Sequence, residues 1–241
     1  MQKSDITYSR LSLYYDSLFA AWGKDYEKES QLIHSIIQQN KLIPGKVLLD
    51  LGCGTGEHLL YLQKYYDVTG LDCSNEMITI ASKKVPNANF YEMDMSNFQI
   101  EKQFDIVICL FSAIGYVRTL PRLHSTISSI SNHLNSGGIV IIEPWFTPDD
   151  FEKHRYDSLY GEKGNFKACR MRKSTVREKI AYIDEHILIS NEDGVLHFTS
   201  KHKFGLFNQN EIIKTLELNK IIPSYSEPGL SGRGIYIGIK K

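Results

Sequence analysis

Hydrophobic positions follow two different periods along the chain. Between residues 44 and 144, apolar runs of strand length alternate with stretches in which apolar residues recur every three or four positions. The strand-like runs lie at 46–51, 68–71, 89–92, 104–110 and 139–143, and the helical stretches between them lie at 57–64, 75–84 and 120–134. A further helical stretch, at 25–39, precedes the first strand. The last helix is expected to end at Ser136-Gly137-Gly138. This alternation predicts β-α-β units, which build a parallel sheet with helices on both faces.

After Trp145, apolar and polar positions alternate, which is typical of strands with one buried face. Three such runs lie at 170–176, 180–190 and 195–207, and Asp193-Gly194 between the last two predicts a hairpin. We expect these strands to join the open side of the core sheet, before a helix at 208–218 capped by Asn208 and a strand at 235–239. The predicted fold class is α/β and Rossmann-like, a mainly parallel sheet with an added antiparallel layer from the C-terminal half.

Composition limits the number of domains and the classes of partner. At 241 residues and 42% hydrophobic content, the chain can bury one sizeable core. We expect a single domain, 1–241, with a helical N-terminal segment at 1–43, a ligand-binding core at 44–145, antiparallel strands at 146–207 and a final helix and strand at 208–241. The 28 basic and 28 acidic residues balance, which argues against a nucleic-acid or membrane partner. Four scattered cysteines without a C-x-x-C pair argue against a metal site and favour a cytoplasmic location.

A glycine-rich turn is the strongest chemical signal in the sequence. The first predicted strand runs into Asp50-Leu51-Gly52-Cys53-Gly54-Thr55-Gly56, where glycines let the backbone approach a ligand closely. A dinucleotide site would need a third glycine where this chain has Glu57, and its pyrophosphate would face that carboxylate. Asp50 adds a further negative charge. The turn therefore favours a cationic ligand, one with an ammonium and a sulfonium, over a diphosphate.

Further candidates follow the next strands of the predicted sheet. Asp72 lies about 20 residues beyond the first glycines, the distance at which a carboxylate accepts hydrogen bonds from ribose hydroxyls. Asp94 could accept from an adenine amino group or simply cap a turn, and Met95 could cover the ring. Leu110 and Phe111, at the end of the fourth strand, would form the floor of the site.

These elements resemble, in this order, the class I S-adenosylmethionine-dependent methyltransferases. A closer resemblance covers nearly the whole chain and is to the N,N-dimethyltransferases of nucleotide-linked amino sugars, of the desosamine and mycaminose type. The matching stretches are Tyr15-Asp16, Gly23-Lys24-Asp25-Tyr26, the run from Phe111 to Tyr116, Glu143-Pro144-Trp145-Phe146 and Ser231-Gly232-Arg233-Gly234. The chain departs from the family in the loop after Asp149 and at three single positions. It has Asp72 where Glu is frequent, Phe146 where a second Trp is frequent, and Leu230 where Pro is frequent.

The resemblance implies S-adenosyl-L-methionine as cofactor and N-methylation of a nucleotide-linked amino sugar, with a homodimer as a possible assembly. It implies that Tyr116 and Tyr8 approach the reacting amine, although both could be packing residues. Arg233 lies between glycines and suits a diphosphate, which a guanidinium binds through two hydrogen bonds. The other candidates are Tyr15, Tyr26, Cys53, Gly52, Gly54, Gly56, Cys73 and Met77 for the cofactor and Ser112 and Trp145 for the substrate.

Two alternatives remain open from the sequence. The acceptor could be another small amine or a hydroxyl, in which case Arg233 is not needed, or the protein could bind the cofactor without turnover. His197 and His202 have no Cys or Asp cluster beside them, so we expect both on a solvated sheet face rather than as metal ligands.

Overall fold

A seven-stranded sheet forms the centre of the molecule. The computed structural model describes residues 11–151 and 156–241. Strands β1 to β5 are parallel neighbours, whereas β11 runs antiparallel beside β5 and β10 antiparallel beside β11. The order across the sheet is β10-β11-β5-β4-β1-β2-β3. The strands are β1 (Val47–Leu51), β2 (Asp67–Asp72), β3 (Asn89–Glu92), β4 (Phe104–Cys109), β5 (Leu134–Ile142), β10 (Ile221–Ser226) and β11 (Ile235–Lys240).

Helices cover both faces of this sheet, as the alternation of strands and helices predicts. The described residues contain two 3-10 helices, Ser12–Tyr14 and Ala113–Val117. They also contain seven α-helices: α1 (Tyr15–Ala21), α2 (Tyr26–Asn40), α3 (Glu57–Leu62), α4 (Asn75–Lys84), α5 (Leu120–His133), α6 (Pro148–Phe151) and α7 (Gln209–Leu218). Leu48 of β1 packs with α2 and α3, and its neighbour Leu49 packs with α5 and α7 on the other face. Within the described ranges, no helix is both long and apolar enough to span a bilayer.

Strands β6 (Tyr156–Lys163), β7 (Phe166–Arg177), β8 (Ile180–Asn191) and β9 (Gly194–Gly205) form a second, antiparallel sheet. The predicted hairpin is present, with Asn191 of β8 opposite Gly194 of β9. One face of this sheet, which we call the inner face, packs on Leu18 of α1 at one end and on Phe151 and Trp145 at the other. The opposite, outer face carries exposed side chains such as His197.

Two expectations about the elements need correction, and two strands were missed. The antiparallel strands were expected to extend the core sheet, but they form a sheet of their own. Ser136-Gly137-Gly138 does not end a helix, because α5 passes directly into β5 and Gly137, at φ +77°, lies in an irregular part of the strand. Strands β6 and β10 were not predicted. Pro223 lies inside β10, and a proline is tolerated there because β10 is an edge strand.

Candidate active site

The glycine-rich turn lies at the carboxyl end of β1 and is fastened to β2. The N–H groups of Gly52 and Cys53 both donate to the carbonyl oxygen of Leu71, at 2.7 and 3.0 Å. A Cβ on Gly52 would lie 2.7 Å from that of Ala113, so only glycine fits there. Among the residues that the structure describes, no atom outside the turn lies within 4 Å of a Cβ built on Gly54, whose φ is +54°. No described side chain therefore covers the turn at this position.

Two carboxylates lie beside this turn. Asp72 accepts hydrogen bonds from the backbone N–H groups of Gly54 and Ser74, both at 2.9 Å, which fixes its orientation. Asp50 is only 2% exposed, and its burial, followed by the Asp72 charge, raises its pKa from 3.8 to about 8. No hydrogen bond within the described part of the chain opposes that shift. A buried carboxylate without a partner is costly, and a cationic ligand would offset that cost.

Helix α1 is held against the turn by polar contacts that sequence reasoning missed. Asp16 accepts a hydrogen bond from the Thr55 hydroxyl of the turn and pairs with Lys84 of α4 at 2.6 Å. Lys84 also pairs with Glu57, at 2.5 Å. Its ammonium thus joins α1, the start of α3 and the end of α4, and holds α1 beside the glycine-rich turn.

Aromatic rings connect α1 to the end of β4. Tyr15 packs on Phe19 with ring centroids 4.7 Å apart, and Phe19 meets Phe111 edge-on at 4.8 Å. The ammonium of Lys24 lies 3.9 Å from the centroid of the Phe111 ring. The structure therefore brings two predicted residues, Tyr15 and Phe111, to one wall of the site, together with Phe19 and Lys24.

A buried ionic group lies behind this wall. Lys24 and His58 both contact the Glu29 carboxylate, at 2.7 and 2.8 Å, and Tyr26 packs on the His58 ring. Burial raises the pKa of Glu29, but the His58 hydrogen bond and the Lys24 charge outweigh it, and the net shift is downward. For Tyr26, burial and the nearby Asp16 carboxylate raise the pKa well above its usual range, so its phenol stays neutral.

The loop after β4 has an unusual backbone held by Glu143. Phe111 and Ser112 adopt left-handed conformations, at φ +49° and +62°, which cost non-glycine residues about 1–3 kcal/mol each. Glu143 is 1% exposed and accepts from the Phe111 N–H at 2.6 Å and from the Ser231 hydroxyl. The Ser112 hydroxyl donates to the Pro144 carbonyl at 2.8 Å. The hydroxyl of Ser112, a predicted substrate residue, is thus hydrogen-bonded to the backbone of the segment that follows β5.

Arg233 also contacts Glu143. Its guanidinium lies 3.2 Å from the Glu143 carboxylate and donates through Nε to the Pro144 carbonyl at 3.3 Å. The same group lies over the rings of Trp145 and Phe146, with centroids 5.5 and 5.6 Å away. The structure therefore brings Arg233 and Trp145 together beside the Phe111 loop, where a phosphate would compete with Glu143 for the guanidinium.

Tyr116 meets a residue that sequence reasoning placed elsewhere. Its hydroxyl lies 3.0 Å from Nδ1 of His202, and its ring packs on Phe204 at 4.3 Å. His202 and His197 were both expected on a solvated face, and this is wrong for His202, whose side chain is only 11% exposed. Because the two histidines are five positions apart on one strand, they lie on opposite faces of the sheet. His197 is exposed, as expected.

Of the two predicted adenine contacts, Asp94 is already hydrogen-bonded within the protein, and Met95 lies close to the turn. Both oxygens of Asp94 accept from Arg122, at 2.9 and 2.6 Å, and one also accepts from the Ser96 backbone and hydroxyl. The Met95 methyl lies 3.3 Å from where a Cβ on Gly52 would be. The adenine roles of both residues stay predictions.

Among the remaining candidates, Leu110 and Met77 are buried in the core. Cys53 is also buried, which raises the pKa of its thiol, whereas Cys73 is exposed on the loop after β2. Tyr8 lies outside the described residues. Their roles at the cofactor stay predictions.

Comparison with known proteins agrees with this arrangement. A family of methyltransferase domains matches residues 48–138. Over 227 residues, the chain is 31% identical to the dTDP-3-amino-3,4,6-trideoxy-alpha-D-glucopyranose N,N-dimethyltransferase of Streptomyces venezuelae, which covers 93% of this chain and 95% of that protein. The crystal structure of Streptomyces venezuelae DesVI superposes with a TM-score of 0.89 at 30% identity, over 94% of this chain and 97% of that one. SAM-bound CalS10, an amino pentose methyltransferase from Micromonospora echinaspora, superposes with a TM-score of 0.86 at 25% identity, over 94% and 96%.

Proposed function

The chain belongs to the class I S-adenosylmethionine-dependent methyltransferases, in the family of the amino-sugar N,N-dimethyltransferases, and we propose that its acceptor is the amine of a nucleotide-linked amino sugar. S-adenosylmethionine, when bound, supplies a methyl group activated by a sulfonium. The protein must then hold an acceptor amine in line with that methyl group, because orientation supplies much of the rate of such a displacement.

The residues at the turn fit this cofactor. No described side chain covers Gly54, Asp72 is oriented by two backbone N–H groups, and the buried Asp50 carboxylate suits a cationic partner. Asp72 would accept from the ribose hydroxyls, and Asp50 would face the positively charged end of the cofactor. The rings of Tyr15 and Phe111 would border the same end.

One observation carries the proposed acceptor position. A Cβ on Gly52 would lie 2.7 Å from Ala113, which begins the 3-10 helix Ala113–Val117 that contains Tyr116. The cofactor turn and the Tyr116 helix are therefore in direct contact. An acceptor beside the Tyr116 hydroxyl would lie next to the cofactor, and Arg233, anchored at the adjoining loop, would face its diphosphate.

A second candidate acceptor, a small amine without a diphosphate, is favoured by the contact between Arg233 and Glu143. Because that ion pair already satisfies part of the guanidinium, a phosphate would have to share it. The two candidates differ in what they require of the substrate, since only the nucleotide-linked sugar gains from Arg233.

The test is a methyl-transfer assay with S-adenosylmethionine and the dTDP-3-amino-3,4,6-trideoxy sugar that is named for the Streptomyces venezuelae relative. We expect mono- and dimethylated products by mass spectrometry, and none when a hydroxyl replaces the amine. Transfer to free amino sugars at an equal kcat/KM would favour the second candidate. Cofactor binding without turnover on any amine would contradict both. The homodimer, the cytoplasmic location and the lack of a nucleic-acid partner stay predictions.

A further inference from the structure

Tyr116, His202 and Glu185 form a continuous polar chain across the inner face of the second sheet. The Tyr116 oxygen lies 3.0 Å from His202 Nδ1. On the other side of the ring, Nε2 lies 3.1 Å from the Ser200 hydroxyl and 3.5 Å from the Glu185 carboxylate. The chain begins at Tyr116, which is 42% exposed, and ends at Glu185, whose side chain is 12% exposed.

This arrangement selects one tautomer of the imidazole. With Nε2 beside a carboxylate, the hydrogen of neutral His202 belongs on that nitrogen, and Nδ1 is left as an acceptor. The Tyr116 hydroxyl then donates to Nδ1. A phenol oxygen that donates its own hydrogen to a neighbour can still accept one from an amine.

Charged groups on the adjoining strands determine the charge of Glu185. Arg170 and Arg172 of β7 lie on the same face, and Asp157 of β6 pairs with both of them. Burial raises the pKa of Glu185, but the His202 hydrogen bond and the two arginines outweigh it, so the net shift is downward. Glu185 is therefore a carboxylate at neutral pH and can stabilise a positive charge on the imidazole.

We propose that His202, supported by Glu185, takes through Tyr116 the proton that an ammonium acceptor must lose before it can be methylated. The inference rests on the proposed function, because it concerns the amine of that substrate. Amines are largely protonated near pH 7 and have no lone pair in that form, so a proton acceptor at this position has a chemical purpose.

The proton transfer is balanced. The ammonium N–H bond breaks and its proton passes to the Tyr116 oxygen, while the phenolic proton passes to His202 Nδ1. The amine becomes neutral, Tyr116 ends as a neutral phenol, and the imidazole becomes an imidazolium beside the Glu185 carboxylate. Tyr116 touches the substrate, and His202 and Glu185 are positioning residues that act through it.

The test is the pH dependence of kcat in His202→Asn, with the wild-type enzyme measured first on the same amino sugar. Asparagine can keep a hydrogen bond to Tyr116 but cannot take a proton. We expect kcat to fall about ten- to a hundredfold at pH 7 and to recover to within about threefold of wild type near pH 9.5, where the free amine predominates. Affinity for S-adenosylhomocysteine should not change, and Glu185→Gln should change kcat in the same direction.

His197→Asn is the matched control, because it makes the same substitution on the outer face of the same strand, and it should behave as wild type. NMR of the histidine ring gives a second readout without turnover. In the complex with S-adenosylhomocysteine, the amino sugar should move the His202 resonance towards its imidazolium position, and the matching hydroxyl sugar should not. The inference requires both results. A loss of kcat that is equal at all pH values, or a resonance that does not distinguish the two sugars, would overturn it, whereas an inactive wild type would overturn the proposed function instead.

Discussion

Replacement of Asp50 by asparagine removes a buried negative charge while it preserves the shape of the side chain. In the ligand-free protein, the pKa of Asp50 is raised to about 8, chiefly by burial. At pH 7, about nine in ten molecules therefore carry a proton on this carboxyl. A cation bound beside it favours the ionised form, so ligand binding should release that proton.

The size of the effect follows from the shift in pKa. Between its unfolded value near 4 and its folded value near 8, the folded state holds the proton more tightly than the unfolded state. The free energy of unfolding must then fall as pH rises through this range, by about 1.4 kcal/mol per unit, or roughly 4 kcal/mol by pH 7. A buried asparagine amide and a buried protonated carboxyl bear a similar desolvation cost, but the amide does not ionise. Ligand-free Asp50→Asn should therefore be more stable than wild type by roughly 4 kcal/mol at pH 7, and the two should become similar near pH 4.

Calorimetric titration with S-adenosylhomocysteine at several pH values measures the linked proton. For the wild type, the affinity should rise nearly tenfold per pH unit up to about pH 7.5 and level off above about 8. Asp50→Asn should bind more weakly, and most of this pH dependence should be lost. Asp67→Asn is the control, because Asp67 is exposed and lies at the end of β2 that is far from Asp72 and the glycine-rich turn. A variant with the same pH dependence as wild type would refute the link between Asp50 and the ligand.

Substitutions at three other positions test separate parts of the site. Asp72→Ala should weaken S-adenosylhomocysteine binding by about 1.5–3 kcal/mol through lost hydrogen bonds to a charged acceptor, and an unchanged calorimetric Kd would show that Asp72 only orders the loop. Arg233→Ala should raise KM for the nucleotide amino sugar roughly ten- to a hundredfold and leave cofactor affinity unchanged, with partial recovery in Arg233→Lys; unchanged kinetics would contradict a phosphate role. Glu143→Gln leaves the Arg233 guanidinium without its counter-charge and should lower the free energy of unfolding by about 3 kcal/mol in urea; equal stability would show that the ion pair contributes little.

The sequence predicted the core sheet and the glycine-rich turn at the end of β1 because both depend on local signals. Strand β1 and the three glycines lie within ten residues, and Asn75–Lys84 begins and ends where its pattern indicates. The position of Asp72 followed from its place at the end of β2. Each of these features can be identified without knowledge of any distant contact.

Contacts between distant segments could not be predicted in the same way. Asp16 and Lys84 are 68 positions apart, and nothing near either residue indicates their ion pair. Tyr116 and His202 are 86 positions apart and lie on different layers of the fold. The alternation along β9 does place His202 opposite to His197, but only the packing of α1 and Trp145 decides which face is covered.

Strands β8 and β9 pair without interruption from Ile180 opposite Gly205 to Asn191 opposite Gly194. Because every residue of both strands has a partner, the positions at which this hairpin can accept an inserted residue are restricted. One residue inserted in β9 between the hairpin loop and His202 would exchange the inner and outer faces beyond the insertion, so that Lys201 would replace His202 beneath Tyr116. An insertion in the loop at 192–193 would leave every pair in place. Related proteins can therefore have longer loops at the tip of the hairpin. A one-residue insertion within β9 would instead separate the His202 imidazole from the Tyr116 phenol, although both residues would still be present.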